Sequence, residues 1–169
     1  MKSLLLFRHA KSDWGDPNLQ DFDRPLNERG IKSAERMGAW MKDNHIQPEW
    51  IVCSPAKRAQ ESLAGLRKHL DIPDTLVNLE DRVYQADTST LLDIMARCPE
   101  DMDNIMLIGH NPTFDELLIY LCGPKLPLSS KGKLMATATL AQVALPDDWQ
   151  QLSPNSGKLQ QIIRPGEIS

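Results

Sequence analysis

Four consecutive apolar residues, Leu4, Leu5, Leu6 and Phe7, stand near the start of the chain and are cut short by Arg8. The run falls far short of the ~20 apolar residues of a membrane-spanning helix and ends before a secretory apolar core is complete, so it reads as a buried strand. Short runs of this kind recur and helical periodicity fills the gaps between them, which predicts an α/β domain with a largely parallel sheet. The expected strands are 2–7, 50–53, 75–79, 105–109 and 136–145, with 159–163 as an edge strand. Ile31, Ala34, Met37, Gly38 and Met41 form one helical stripe, and Ala56, Ala59, Leu63, Leu66 and Leu70 form a second; both are expected in the core. A third helix starts at Thr88 or Ser89 and carries Leu91, Leu92 and Met95. Phe114, Leu117, Leu118 and Leu121 define a fourth.

Of the 169 residues, 41% are hydrophobic, enough to close one sizeable core, and no composition shift divides the chain, so residues 1–169 are expected to form a single domain. Nineteen basic residues face 23 acidic ones for a formal net charge of −4. Such a balance offers no global field for nucleic acid or an anionic membrane, and any bound anion must be held locally. Cys53, Cys98 and Cys122 lie far apart, which suggests neither a disulfide framework nor a zinc site and fits a reducing, cytoplasmic setting. Nothing in the sequence fixes an oligomeric state.

Ligands of open parallel sheets bind beyond the carboxyl ends of the strands, and three strand ends here are unusual. The first strand runs into Arg8-His9, the second into Cys53-Ser54-Pro55 with Arg58 one turn on, and the fourth into Gly109-His110-Asn111-Pro112. Two arginines and two histidines then converge on one rim. Ser54 reads as an N-cap with Pro55 as the first helical residue, and Asn111-Pro112 repeats the arrangement, so two helix starts are expected to aim backbone N–H groups at the same place. That combination suits a phosphate. Two stretches break the rhythm: 11–26, with Trp14 and four aspartates, and 122–132, which could equally be a plain connection. Lys11 and Ser12 are candidates for added phosphate contacts, and Asn27 is expected to cap the helix that follows.

Leu6-Phe7-Arg8-His9-Ala10, Ser54-Pro55-Ala56-Lys57-Arg58-Ala59-Gln60-Glu61-Ser62 and Gly109-His110-Asn111-Pro112 resemble, in order, the motifs of the histidine phosphatase (phosphoglycerate mutase-like) superfamily. With Arg8-His9-Ala10-Lys11-Ser12 and Asp23-Arg24-Pro25-Leu26, the likeness is greatest to the SixA branch of phosphohistidine phosphatases. The resemblance implies a three-layer α/β/α fold with a predominantly parallel central sheet. It also implies a phosphatase whose nucleophile is His9, forming a covalent phosphohistidine, with Arg8, Arg58 and His110 as the phosphate pocket and as catalytic partners. Prepositioned cations and N–H donors stabilise the charge that spreads over the phosphoryl oxygens, so neither a metal nor another cofactor is required. His9 must be neutral to attack, and crowding by Arg8, Arg58 and His110 is expected to lower its pKa. The implied substrates are a phosphorylated protein, such as a histidine phosphorelay protein, or a small phosphorylated molecule.

Two departures matter. Ala10 replaces the usual glycine, which the branch tolerates. Gln85 stands where many members place a glutamate proton donor, so either Glu80, Asp81 or Asp87 substitutes or the reaction needs no enzymic acid. An imidazole protonated on its other nitrogen leaves as a neutral ring, so a missing acid favours phosphohistidine over phosphate esters. Three alternatives stay open: a phosphomonoesterase using one of those acids, a non-catalytic phosphate-binding module, and a cysteine nucleophile at Cys53, whose spacing to Arg58 and glycine-free loop fit poorly.

Overall fold

A computed structural model describes residues 1–168. Six strands, β1 (Lys2–Arg8), β2 (Trp50–Cys53), β3 (Val77–Leu79), β4 (Asn104–Gly109), β5 (Leu140–Leu145) and β6 (Lys158–Ile163), form one sheet in the order β3-β2-β4-β1-β5-β6. The sheet is mixed: β3, β2, β4 and β1 run parallel, whereas β5 is antiparallel to β1 and β6 to β5. Side chains alternate across a strand. Leu5 and Phe7 accordingly enter a core with α1 (Glu28–Asp43) and α2 (Lys57–Arg67), while Leu4 and Leu6 face α3 (Thr88–Ala96) and α4 (Thr113–Cys122). The three-layer expectation therefore holds.

Several expectations shift locally. Strand β5 begins at Leu140 rather than Ala136, because Thr137 and Ala138 form a turn in which Ala138 has φ +56° and its N–H meets the carbonyls of Arg8 and His9, both at 3.1 Å. Strand β3 begins at Val77, after a 3-10 turn over Asp74–Leu76. Ile31 is 43% exposed, and the buried stripe of α1 is Gly30, Ala34, Met37, Gly38 and Met41. The second and fourth stripes are buried as expected.

Two glycines let backbones approach. A Cβ on Gly30 would lie 2.1 Å from the Lys11 carbonyl oxygen, and one on Gly65 would lie 2.6 Å from the Ala34 Cβ. The first contact seats α1 directly against the chain leaving β1. Asn27 caps that helix, its Oδ1 accepting from Gly30 N at 2.8 Å, and Asn27 N in turn donates to the Lys11 carbonyl.

Candidate active site

His9 follows the last residue of β1 and is 93% removed from solvent. Its Nδ1 lies 2.6 Å from the Ala10 carbonyl, which can only accept, so Nδ1 carries the proton and Nε2 the lone pair. That lone pair accepts from Arg58 Nε at 3.3 Å. Ala10 is itself fixed by Ser62, whose Oγ accepts from Ala10 N (2.8 Å) and donates to the Arg58 carbonyl (2.7 Å), tying the end of β1 to the first turn of α2.

His110 approaches from the end of β4, with its ring centroid 5.2 Å from that of His9. His110 Nε2 sits 2.8 Å from Ser54 Oγ, which also accepts from Ala56 N at 3.2 Å. Ser54 is thus not a helix cap. Ala56 is extended (ψ 140°), so α2 cannot begin before Lys57, and the Ser54 hydroxyl is left to orient His110. Similarly, Pro112 is the N-cap of α4 rather than its first residue, and Asn111 Oδ1 reaches Asp115 N at 3.3 Å.

Arg8 donates from Nη1 to the Met135 carbonyl at 2.9 Å, an oxygen it shares with Asn111 Nδ2. Asp115 holds the same loop by accepting from Met135 N at 3.0 Å, and its charge opposes the lowering of the Arg8 pKa by burial. Two polar atoms of this group, Arg8 Nε and His110 Nδ1, are buried with no protein partner. Buried polar atoms without a partner are rare in native structures.

Burial, more than crowding, sets the histidine protonation. It depresses His9 to about 3, with His110, Arg58 and Arg8 adding smaller effects in the same direction, and depresses His110 to about 4. Both rings are neutral in the fold at neutral pH. Ordinary histidine titrates near ~6.5, so below that value the unfolded chain takes up protons that the native state refuses, and stability falls with pH. Between pH 7 and 5 the loss is expected to reach up to about 1.4 kcal/mol per pH unit for each ring. Urea midpoints measured across that range check it, and His110→Gln should flatten the slope.

Two further side chains reach the site, and the sequence did not single them out. Asp21, from a 3-10 turn in the 11–26 loop, accepts from Arg58 Nη2 (3.0 Å), Arg24 Nη2 (2.9 Å) and the Tyr84 hydroxyl (2.6 Å), and its main-chain carbonyl accepts from Arg58 Nη1 (2.7 Å). The hydrogen bond from Tyr84 and those from the arginines hold the Asp21 carboxyl well below the usual carboxylate range. Its position in an aspartate-rich loop just past His9 was the available signal. Tyr84 stands edge-on to His110, 5.6 Å between ring centroids.

The other sequence candidates lie elsewhere. Ser12 is buried against Arg24 and bridges Leu26, and Lys11 is exposed. Asp87 caps α3 through Thr90 N at 2.8 Å, and Glu80 accepts from Arg82 N and Nε. Asp81 is exposed in a 3-10 turn, and Gln85 is exposed with φ +61°. Cys53 is fully buried, donates to the Ser54 carbonyl at 3.3 Å, and has its thiol pushed up to about 12 by burial. A thiol so held supplies no thiolate for attack. Among the described residues no group of His, Cys, Asp and Glu is arranged to hold a metal ion, and no helix is long and apolar enough to cross a membrane.

Residues 4–114 match the histidine phosphatase superfamily (branch 1). An uncharacterized protein of Mycobacterium tuberculosis is 30% identical over 156 residues, covering 90% of this chain and 95% of the relative. Phosphohistidine phosphatase SixA of Escherichia coli K12 is 25% identical over 150 residues, 85% of this chain and 89% of that protein. In three dimensions the chain superposes on a SixA-type protein from Agrobacterium tumefaciens with a TM-score of 0.82 and 28% identity, covering 98% of this chain and 99% of the other. The match in sequence and the shared fold agree with the histidine and arginine cluster at the sheet's carboxyl edge: the chain belongs to branch 1 of the histidine phosphatase superfamily, among its SixA-type members.

Proposed function

We propose that this phosphatase removes the phosphoryl group from phosphohistidine on proteins, through a covalent intermediate on His9 Nε2, with Arg8, Arg58 and His110 holding the phosphoryl oxygens. The observation that carries the substrate choice is Asp21. Its carboxylate bonds directly to Arg58, and its three donors keep it ionised, so it has no proton for a leaving group; the other carboxylate near the cluster, Asp115, accepts from Met135 N. Glu80 and Asp87 are engaged in local bonds of their own. An alkoxide leaving without an acid pays heavily, since general acid catalysis contributes about 10²–10⁴-fold, whereas an imidazole leaves as a neutral ring.

The steps balance. As phosphate oxygens take up Arg58, the Nε–H now directed at His9 is released and the Nε2 lone pair is free to attack phosphorus in line. The P–N bond of the substrate, whose ring enters carrying a proton on its other nitrogen, breaks, and its electron pair returns to the imidazole, which departs neutral. His9 keeps its Nδ1 proton on the Ala10 carbonyl throughout, so the phosphorylated ring is cationic and itself a good leaving group. Water then attacks phosphorus, the P–Nε2 bond breaks, and the pair returns to Nε2. One water proton stays on the product phosphate and the other passes to solvent.

The test offers purified protein a phosphohistidine peptide, phosphoramidate and phosphoserine side by side. Turnover of the two P–N compounds is expected to exceed that of phosphoserine by about 10²-fold or more in kcat/KM. Comparable phosphoserine turnover would overturn the substrate assignment.

A further inference from the structure

One cavity beside the site is not used by this chemistry. It measures about 370 Å³ and is lined by the cationic residues Lys11, Arg29, Lys131, Lys133 and Arg164 and by one carboxylate, Glu167, which pairs with Arg164 at 3.3 Å. Lys11, Arg29, Lys131 and Lys133 are exposed, and none of them forms an ion pair among the described residues. In a chain of net charge −4, four unpaired cations around one depression are a local feature and not a consequence of composition.

The rim is ordered by its own bonds. Ser129 Oγ accepts from Lys131 N (3.2 Å) and Lys133 N (3.1 Å), and Ser129 N donates to the Lys133 carbonyl at 2.8 Å. Beneath it, buried Arg164 donates to the carbonyls of Pro127 and Leu134, pinning the loop. The cavity also shares backbone with the site: Lys11 is two residues beyond His9, and the 136–138 turn that lines it bonds to the carbonyls of Arg8 and His9.

The two sides of the site differ in the charged residues they carry. Toward β2 and β3, the loop holding Asp13, Asp16, Asp21 and Asp23 is fastened to Arg58 and Tyr84; toward β5 and β6 lies the cationic cavity. A uniform polyanion such as a nucleic acid is repelled by the first side. A protein segment that is acidic on one side of its phosphorylated residue matches both.

We propose that this cavity docks acidic residues flanking the phosphohistidine of the protein substrate, an inference that rests on the phosphohistidine reading above. Charges of this kind act mainly on encounter and orientation and weaken as salt screens them.

The experiment uses two phosphohistidine peptides of one sequence, flanked by glutamates or by glutamines. For the unaltered protein at low salt, kcat/KM should favour the glutamate peptide by about tenfold, the preference shrinking as salt is raised. In K131Q/K133Q and K131E/K133E the preference should vanish while phosphoramidate turnover stays unchanged. Equal kcat/KM for the two peptides, or a preference that survives both double variants, overturns the proposal. Binding of the unphosphorylated peptides, read by fluorescence anisotropy, separates it from the substrate reading. If phosphopeptides are not cleaved at all, tighter binding of the glutamate peptide that is lost in K131Q/K133Q still supports the docking site, and equal binding overturns it.

Discussion

Replacing His9 with alanine is expected to lower kcat by about 10⁴-fold or more, while affinity for inorganic phosphate changes little. The asymmetry follows from the geometry. His9 is the ring whose tautomer is fixed with a lone pair on Nε2, by the Nδ1 bond to the Ala10 carbonyl, whereas His110 directs its own Nε2 to Ser54. The groups assigned to the phosphate oxygens, Arg8, Arg58 and His110, come from other positions of the sheet edge and are untouched by the substitution. Arg58 Nε, which donates to His9 Nε2 in the free protein, offers its hydrogen to a bound anion with or without that ring. Steady-state kinetics on phosphoramidate and calorimetric titration with phosphate check both halves. A variant that keeps substantial turnover would remove His9 from the chemistry.

Arg58→Lys should also be damaging, lowering kcat/KM by about 10²–10³-fold although the positive charge is kept. Arg58 binds in three directions at once, through Nε to His9 and through Nη1 and Nη2 to the carbonyl and carboxylate of Asp21. A lysine ammonium is a point donor on a flexible stem and cannot reproduce that fork. Asp21 takes one hydrogen from each terminal nitrogen, so two N–H groups and Nε–H remain for phosphoryl oxygens. Asp21→Asn keeps an acceptor but loses the charge that holds the guanidinium, and about a tenfold loss in kcat with a smaller change in KM is expected. Full activity of the lysine variant would show that charge alone suffices and that the orientation described here is irrelevant.

These residues also mark how far the sequence could be read. The histidines and arginines were legible because each follows a strand or opens a helix, and the apolar runs place those elements unaided. Asp21 was not, since its contacts with Arg58 and Tyr84 span 37 and 63 residues, and nothing local separates it from the other aspartates of its loop. Ser54-Pro55 carried a good capping signal, but the extended backbone at Ala56 moved the helix start onward and gave the hydroxyl to His110. Ile31 continued an apolar stripe yet faces solvent, because the close approach of α1 to the chain after β1 is made by Gly30, which leaves no apolar mark in a sequence. Strand direction was equally silent: an apolar run looks the same either way, so the antiparallel β5 and β6 had to come from the structure.

The most direct measurement is to mix the protein with ³²P-labelled phosphoramidate, quench in base within the first turnover, digest and map the label. An acid-labile, base-stable phosphoryl group is expected on the peptide containing His9, formed at the rate of substrate cleavage and absent from His9→Ala. Label on any other residue, or full turnover with no labelled protein at any time, would contradict it.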